Sequence, residues 1–336
     1  MAEVLRAVQF GCGPIGCSVV SVAAERNDIE LVGAVDIDPE IFGRDLAELA
    51  DIDRDQKIVV TADAATLFSD LKPDVVFHTT GSSFKGVFGQ LEEIAGAGIN
   101  IVSTCEELSF PYKREPDLAA QIDSIAKENG VTVLGTGINP GFLMDTWPLT
   151  MTALCREVKE VRAVRIQDAS PRRLPFQKKI GAGRTPEEFQ NLIEEGTLRH
   201  VGLPESTAMV AAGLGWDLDE ITEEIGPVMA EKQVSSQYLT VEPGQAAGVR
   251  QVSHGIRDGR ELVTLEFQAF IGAPDPYDAV YIKGTPDMEV VIKGGTHGDI
   301  GTAAIVVNCA RRVVEAPAGL VTMKDLPPAI CSTLLS

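Results

Sequence analysis

Val8-Gln9-Phe10-Gly11-Cys12-Gly13-Pro14-Ile15-Gly16-Cys17 is the stretch on which the fold turns. The apolar run Val4 to Phe10 reads as a buried strand, and Ile15 to Arg26 has the period of a helix. Gly11, Gly13 and Gly16 sit at their junction in the spacing G-x-G-x-x-G. In a strand–turn–helix unit the three glycines serve a tight turn, a close approach of backbone to a diphosphate, and close packing of helix on strand. A second strand, Ile29 to Asp36, ends on a carboxylate about 20 residues beyond Gly16, where it would bond ribose hydroxyls. Gly11, Gly13, Pro14, Ile15, Gly16 and Asp36 are therefore assigned to a dinucleotide.

Outward from this unit, strand and helix signals alternate through Asp74 to Thr79, Asn100 to Thr104, Pro116 to Asn129 and Val131 to Gly135. Such alternation marks a doubly wound parallel sheet of the Rossmann type, an α/β fold. After Pro148 the texture changes to long β-branched runs, among them Val158 to Gln167, Gln233 to Val241, Leu262 to Ile271 and Glu289 to Ile292. They predict an antiparallel sheet in an α+β domain, with helices at Thr185 to Glu195 and Glu205 to Gly213. A last helix, Thr302 to Glu315, is expected to return to the first domain. The expected division is residues 1–140, completed by 298–336, around an inserted domain at 141–297.

The 336 residues suit two domains, and 29 basic against 49 acidic side chains give a net charge of −20. A nucleic-acid surface is not expected, and phosphates must be held by backbone N–H groups or a local cation cluster. No run approaches the ~20 apolar residues of a membrane span, and no signal peptide opens the chain, so a cytoplasmic protein is expected. The six cysteines are scattered except Cys12 and Cys17, so neither disulfides nor a metal site is expected.

Asp36 repels a 2′-phosphate, and Ile37 and Asp38 offer no cation, so NAD is favoured; Arg44 is the residue that could fold back and admit NADP. His78, Thr79 and Thr80 follow a buried strand at the carboxyl edge of the sheet and are assigned to the cofactor by position, with Thr104, Asn139 and Pro140. Glu106 and Glu107 open a turn at the same edge, and one of them is expected to be the functional acid or base. Phe142, Trp147, Phe176 and Met209 are candidate apolar walls, and His200, Thr296 and His297 candidate polar contacts, for a substrate. Arg172, Arg173, Lys178 and Lys179 could hold a carboxylate, although a solvated basic loop explains them as well.

Taken together, Gly11 to Gly16, Gly33 to Pro39, Ser103 to Leu108, Asn139 to Phe142 and Gly295 to Asp299 resemble the 2,4-diaminopentanoate dehydrogenase group, which includes the native amine dehydrogenases. Its amino-terminal domain is similar to that of dihydrodipicolinate reductase. The resemblance implies reversible oxidative deamination of a primary amine to a ketone or aldehyde and ammonia with a nicotinamide cofactor. It also implies a homodimer, a substrate-binding and dimerisation role for residues 141–297, an active site between the domains, and catalysis by Glu106 or Glu107. Two competitors remain. A dihydrodipicolinate reductase-like enzyme acting on C=N or C=C would need a histidine-rich segment and a Lys-Ser-Gly-Thr-like loop, which this sequence lacks. A non-catalytic NAD-responsive regulator would need no carboxylate at the nicotinamide.

Overall fold

The computed structural model describes residues 3–53 and 57–331. It separates into two units, Met1–Phe142 with His297–Ser336, and Leu143–Thr296. The first opens with β1 (Leu5–Phe10), α1 (Pro14–Ala24), β2 (Ile29–Val35), α2 (Leu46–Ala50), α3 (Ala64–Leu71), β3 (Val75–His78), α4 (Phe84–Gly96), β4 (Asn100–Ser103), α5 (Pro116–Glu128) and β5 (Thr132–Gly135). The second holds α6 (Thr146–Thr152), β6 (Glu157–Asp168), α7 (Leu174–Lys179), α8 (Pro186–Glu194), α9 (Leu203–Gly213), β7 (Glu220–Met229), β8 (Val234–Ser235), β9 (Thr240–Val241), β10 (Ala246–Arg257), β11 (Arg260–Phe270), β12 (Tyr277–Thr285) and β13 (Met288–Lys293). The chain then returns to the first unit with α10 (Gly298–Val314) and β14 (Gly319–Val321).

The first unit is a six-stranded parallel sheet in the order β14-β5-β4-β3-β1-β2, continued past β2 by a single parallel bridge between Val35 and Thr61. Strands β3 (VVFH) and β5 (TVLG) are buried at every position, as expected of a parallel sheet covered on both faces. Val8, Val76, Ile101 and Val133 lie on successive strands and pack with Leu91 and Ile94 of α4 and Ile122 of α5. Each such side chain contributes about 1.5–3 kcal/mol by leaving water. The order reverses between β1 and β3, where a doubly wound sheet opens its crevice. This is the Rossmann-type architecture expected from the glycine unit.

His78 ends β3 and is wholly buried. Its Nδ1 meets Ser103 Oγ at 2.8 Å, and its Nε2 meets Gln90 Oε1 at 2.8 Å and Thr80 Oγ1 at 2.9 Å, which ties β3 to β4 and α4. The assignment of its side chain to a cofactor is corrected: the ring is enclosed by the core and both nitrogens are engaged. Burial pushes its pKa down from 6.5 to about 4. Between these values the unfolded chain takes up a proton that the folded protein refuses, so stability falls with pH by up to about 1.4 kcal/mol per unit. Above 6.5 both states are neutral at this residue and the contribution is flat. Urea midpoints measured on either side of that window should show the loss in acid, and His78→Gln should shrink it.

The second unit carries a six-stranded sheet ordered β13-β12-β6-β11-β10-β7, antiparallel except that β6 and β11 run parallel. The expected all-antiparallel sheet is thus corrected to a mixed one. β10 and β11 are joined through Asp258 and Gly259, both at positive φ, so a tight hairpin turn enforces antiparallel pairing. No hairpin links β6 to β11, and that pair is free to run parallel. The strand expected over Gln233 to Val241 is also corrected. Ser236 Oγ accepts N–H bonds from Tyr238 and Leu239 at 3.1 Å each, folding the segment into a turn between the two-residue strands β8 and β9. Helix α8 starts on a reciprocal cap between Thr185 and Glu188, and α9 is joined to β10 by the Thr207–Ser253 hydroxyl bond of 2.8 Å. Among the described residues no helix is long and apolar enough to cross a membrane.

Candidate active site

The three glycines of the opening motif each have a separate steric reason. Gly11 has φ +91°, and a Cβ there would fall 2.9 Å from Thr79 O. At Gly16 a Cβ would fall 1.9 Å from Gly11 O, so helix and loop touch at van der Waals range. At Gly13, by contrast, a Cβ would meet nothing within 4 Å, so the middle glycine faces open space. Gly13 is also the N-cap of α1, where no side chain accepts the first-turn N–H groups, and Pro14 stands at the first helical position. Ile15 is half-buried beside them. A diphosphate fits this cradle on backbone alone, which an acidic chain requires.

Asp36 is half-buried at the end of β2. Its Oδ2 accepts Cys12 N–H at 2.6 Å and its Oδ1 accepts Asp38 N–H at 2.9 Å. Each oxygen keeps a lone pair for a further donor such as a ribose hydroxyl. Burial and the Asp36 charge together push the neighbouring Cys12 thiol up to about 12, so this cysteine stays protonated. Arg44 is exposed, and its charge is felt at Cys17.

Thr79 bonds the glycine loop directly, its Oγ1 donating to Gly11 O at 2.7 Å while Gln9 Nε2 donates to Thr79 Oγ1 at 2.8 Å and to Gly11 O at 2.7 Å. Thr80 is exposed and donates to Gln90 Oε1 at 2.6 Å. Thr104 is half-buried and continues the ladder, its N–H bonding His78 O at 2.9 Å. The next residues form a 3₁₀ turn, Glu106–Ser109, packed against the end of β5: a Cβ on Gly135 would fall 2.4 Å from the Leu108 carbonyl carbon.

Both glutamates of that turn are engaged by the protein. Glu107 Oε2 accepts the N–H of Phe84, the first residue of α4, at 2.9 Å, and Oε1 lies 3.3 Å from Arg114 Nη1. It therefore caps α4 in place of Ser83, whose side chain makes no cap bond. Glu106 is half-buried at the same edge and its carbonyl accepts Ser109 Oγ–H at 2.7 Å. Asn139 and Pro140 follow β5 and are buried. Both Oδ1 and Nδ2 of Asn139 are buried without a protein partner, as is Thr136 Oγ1. Phe142, half-buried, is the last residue before the second unit.

In the second unit Trp147 is half-buried on α6, and Phe176 on α7 lies under Arg172, whose guanidinium carbon is 4.0 Å from the ring centroid. Met209 is fully buried in α9, which makes it a packing residue and corrects its assignment as a pocket wall. Thr296 is half-buried, its N–H donating to Asp278 Oδ2 at 2.7 Å and its carbonyl accepting Arg165 Nη2 at 2.8 Å, so its backbone is fixed to β12 and β6. His297, in the first unit, is exposed, and its Nδ1 accepts Ile300 N–H at 3.5 Å as the cap of α10. His200 is half-buried, its ring 4.4 Å from that of Phe267.

Sequence reasoning passed over Gln9, which supports the glycine loop from inside β1, and the buried pair Arg165–Asp278 at 2.8 Å. The alternation Val161, Ala163, Arg165 puts an arginine on an inward position of β6, a signal that could have been read.

Comparison with known proteins bears on the whole chain. The family model of the 2,4-diaminopentanoate dehydrogenase C-terminal domain matches residues 142–334. Over 333 residues the chain is 33% identical to 2,4-diaminopentanoate dehydrogenase of Acetoanaerobium sticklandii, covering 97% of this chain and 94% of that protein. An amine dehydrogenase of Streptomyces virginiae is 24% identical, with coverage of 96% and 97%. In fold, the chain is similar to the amine dehydrogenase of Mycobacterium smegmatis, with a TM-score of 0.84 at 23% identity, covering 98% of this chain and 97% of that one. The glycine cradle is common to many dehydrogenases, but a match that runs through the second unit as well is specific: the chain belongs to the 2,4-diaminopentanoate dehydrogenase family.

Proposed function

We propose that the protein is an NAD(P)-dependent amine dehydrogenase that reversibly converts a primary amine to a carbonyl compound and ammonia, with Glu106 as its catalytic carboxylate. What supports this reading is the pair of glutamates in the 3₁₀ turn at the carboxyl edge of the sheet: Glu107 has the structural duty of capping α4 through Phe84 N–H, and we assign the chemistry to Glu106. The nearby Asn139 amide presents a buried donor and a buried acceptor without protein partners, the complement of a carboxamide. Gly13 and the start of α1 would hold the diphosphate, Asp36 the ribose hydroxyls, and Asn139 the nicotinamide amide.

Bound there, the cofactor gives or accepts the hydride at the reacting carbon. The work of the protein is to hold a cationic nitrogen and move its protons. In the aminating direction, Glu106 would hold ammonia against the carbonyl carbon, pass protons as water leaves, and stabilise the cationic iminium with its negative charge. Positioning of the two carbons is left to the cradle.

The test is oxidation of NADH by the purified protein with a panel of ketones and aldehydes, each with and without excess ammonium. Oxidation that requires both carbonyl and ammonium supports the reading; oxidation indifferent to ammonium sinks it in favour of a carbonyl reductase. Asp36 sets the cofactor preference through repulsion of a 2′-phosphate. Asp36→Ala is expected to raise KM for NAD about 10- to 100-fold, the loss of hydrogen bonds to a charged group, and to narrow the gap to NADP. Steady-state rates with both cofactors measure this.

A further inference from the structure

Gln9 stands on β1 two residues before Gly11 and is fully buried. Its Nε2 donates to Gly11 O at 2.7 Å and to Thr79 Oγ1 at 2.8 Å, and Thr79 Oγ1 donates in turn to Gly11 O at 2.7 Å. One carbonyl oxygen thus takes a donor on each of its lone pairs, from a side chain of β1 and from one that directly follows β3. Gly16 of α1 closes the remaining side. A Cβ there would fall 1.9 Å from Gly11 O and 2.9 Å from both Gln9 Nε2 and Thr79 Oγ1, so water has no room to take over either bond. Oε1 of Gln9 is buried without a protein partner, and the amide is held by its donating end alone. An apolar residue would fill the same place without an unanswered acceptor, so the stability of the strand does not explain the glutamine.

What this clamp fixes is the orientation of one peptide unit. The Gly11–Cys12 bond is trans, so its carbonyl and its N–H point in opposite directions. With Gly11 O drawn inward by two donors, Cys12 N–H is turned the other way, and it donates to Asp36 Oδ2 at 2.6 Å. The rest of the contact is already tied down: Gly11 N–H donates to Val35 O at 2.8 Å, and Asp36 N–H to Thr61 O at 3.0 Å. Only the Gly11–Cys12 plane depends on side chains. Glycine permits that plane to rotate, and a rotated peptide would present a carbonyl oxygen to the Asp36 carboxylate in place of an N–H.

We propose that Gln9 and Thr79 are positioning residues for recognition of the adenosine ribose: through the Gly11–Cys12 peptide they hold Asp36 Oδ2 in place, and so set the preference for a free 2′-hydroxyl over a 2′-phosphate. The proposal rests on the reading of Asp36 as the ribose carboxylate and is independent of the amine chemistry. Its signature is selectivity. Loss of the clamp penalises a cofactor that bonds Asp36, and spares one that Asp36 repels.

Fluorescence titration of NADH and NADPH onto the purified protein reads this without turnover. In Gln9→Met, which keeps the length of the side chain and removes the donor, the Kd for NADH should rise about 10-fold while that for NADPH changes by less than about threefold. Thr79→Val should show the same selective loss, and Thr79→Ser, which keeps the hydroxyl, should bind both cofactors as the wild type does. In an Asp36→Ala background Gln9→Met should add less than about threefold for NADH, since the route through Asp36 is already cut. An equal loss for NADH and NADPH, or a Gln9→Met effect that adds in full to Asp36→Ala, would mean that the clamp only stiffens the turn, and would overturn the proposal. Unchanged NADH binding in Gln9→Met and Thr79→Val would overturn it too. If Asp36→Ala itself left NADH binding unchanged, the ribose reading would fall and the proposal with it; a weakened Asp36→Ala beside an unaffected Gln9→Met sinks the proposal alone. Should Gln9→Met fail to fold, Thr79→Val against Thr79→Ser carries the same comparison.

Discussion

Glu106→Gln is expected to lower kcat by about 10²–10⁴, the range lost when a positioned proton carrier is removed, while leaving the fold intact. The carboxamide keeps the size and polarity of the side chain but can neither take a proton from ammonium nor balance a developing cation. Glu107→Gln should behave differently. Its role is to accept the Phe84 N–H at the start of α4 and to pair with Arg114, and an amide oxygen can still accept the N–H. Turnover should persist, and Glu107→Ala, which removes the cap outright, should lower stability by about 1 kcal/mol in urea melts. A dead Glu107→Gln beside an active Glu106→Gln would reverse the assignment.

Arg165→Met is expected to destabilise the second unit by about 3–5 kcal/mol, because it leaves the Asp278 carboxylate buried without its counter-ion. Both side chains are almost inaccessible, at 2% and 1% exposure, so water cannot replace the lost charge. Burial already pushes the Asp278 carboxyl up and the Arg165 guanidinium down; their mutual contact opposes both shifts, and hydrogen bonds from Thr296 also lower Asp278. The double variant Arg165→Met/Asp278→Leu should recover part of the loss. It removes both charges, although the Thr296 N–H loses its acceptor and the Thr296 carbonyl loses one of two donors. Urea unfolding of the three variants followed by circular dichroism measures the difference; a single variant as stable as wild type would mean that the pair contributes little.

The glycine turn of the first unit was legible because its signals are backbone signals. Gly11 and Gly16 are required by contacts that no side chain tolerates, and such requirements fix residue type at fixed spacing. The place of Asp36, directly after β2, was legible from the apolar run that it closes. The cap that Glu107 places on α4 was not legible, since it depends on Phe84, a residue distant in the chain and brought to it by folding. His78 and Met209 show the opposite error: a residue at a promising place in the sequence can be wholly consumed by packing. The second sheet was read too simply, since strand composition does not report direction, and the parallel pairing of β6 and β11 follows from connectivity.

The parallel sheet of the first unit takes its outermost strand, β14, and the helix α10 from the far side of the 143–296 insertion. On a translating ribosome, β1 to β5 emerge first and must wait, with the edge of β5 uncovered, while an entire second core is synthesised. Exposed strand edges invite pairing with other chains, so the nascent first unit is a natural client for chaperones during that interval. The glycine turn between β1 and α1, by contrast, is made wholly from early residues and is complete before the last strand arrives.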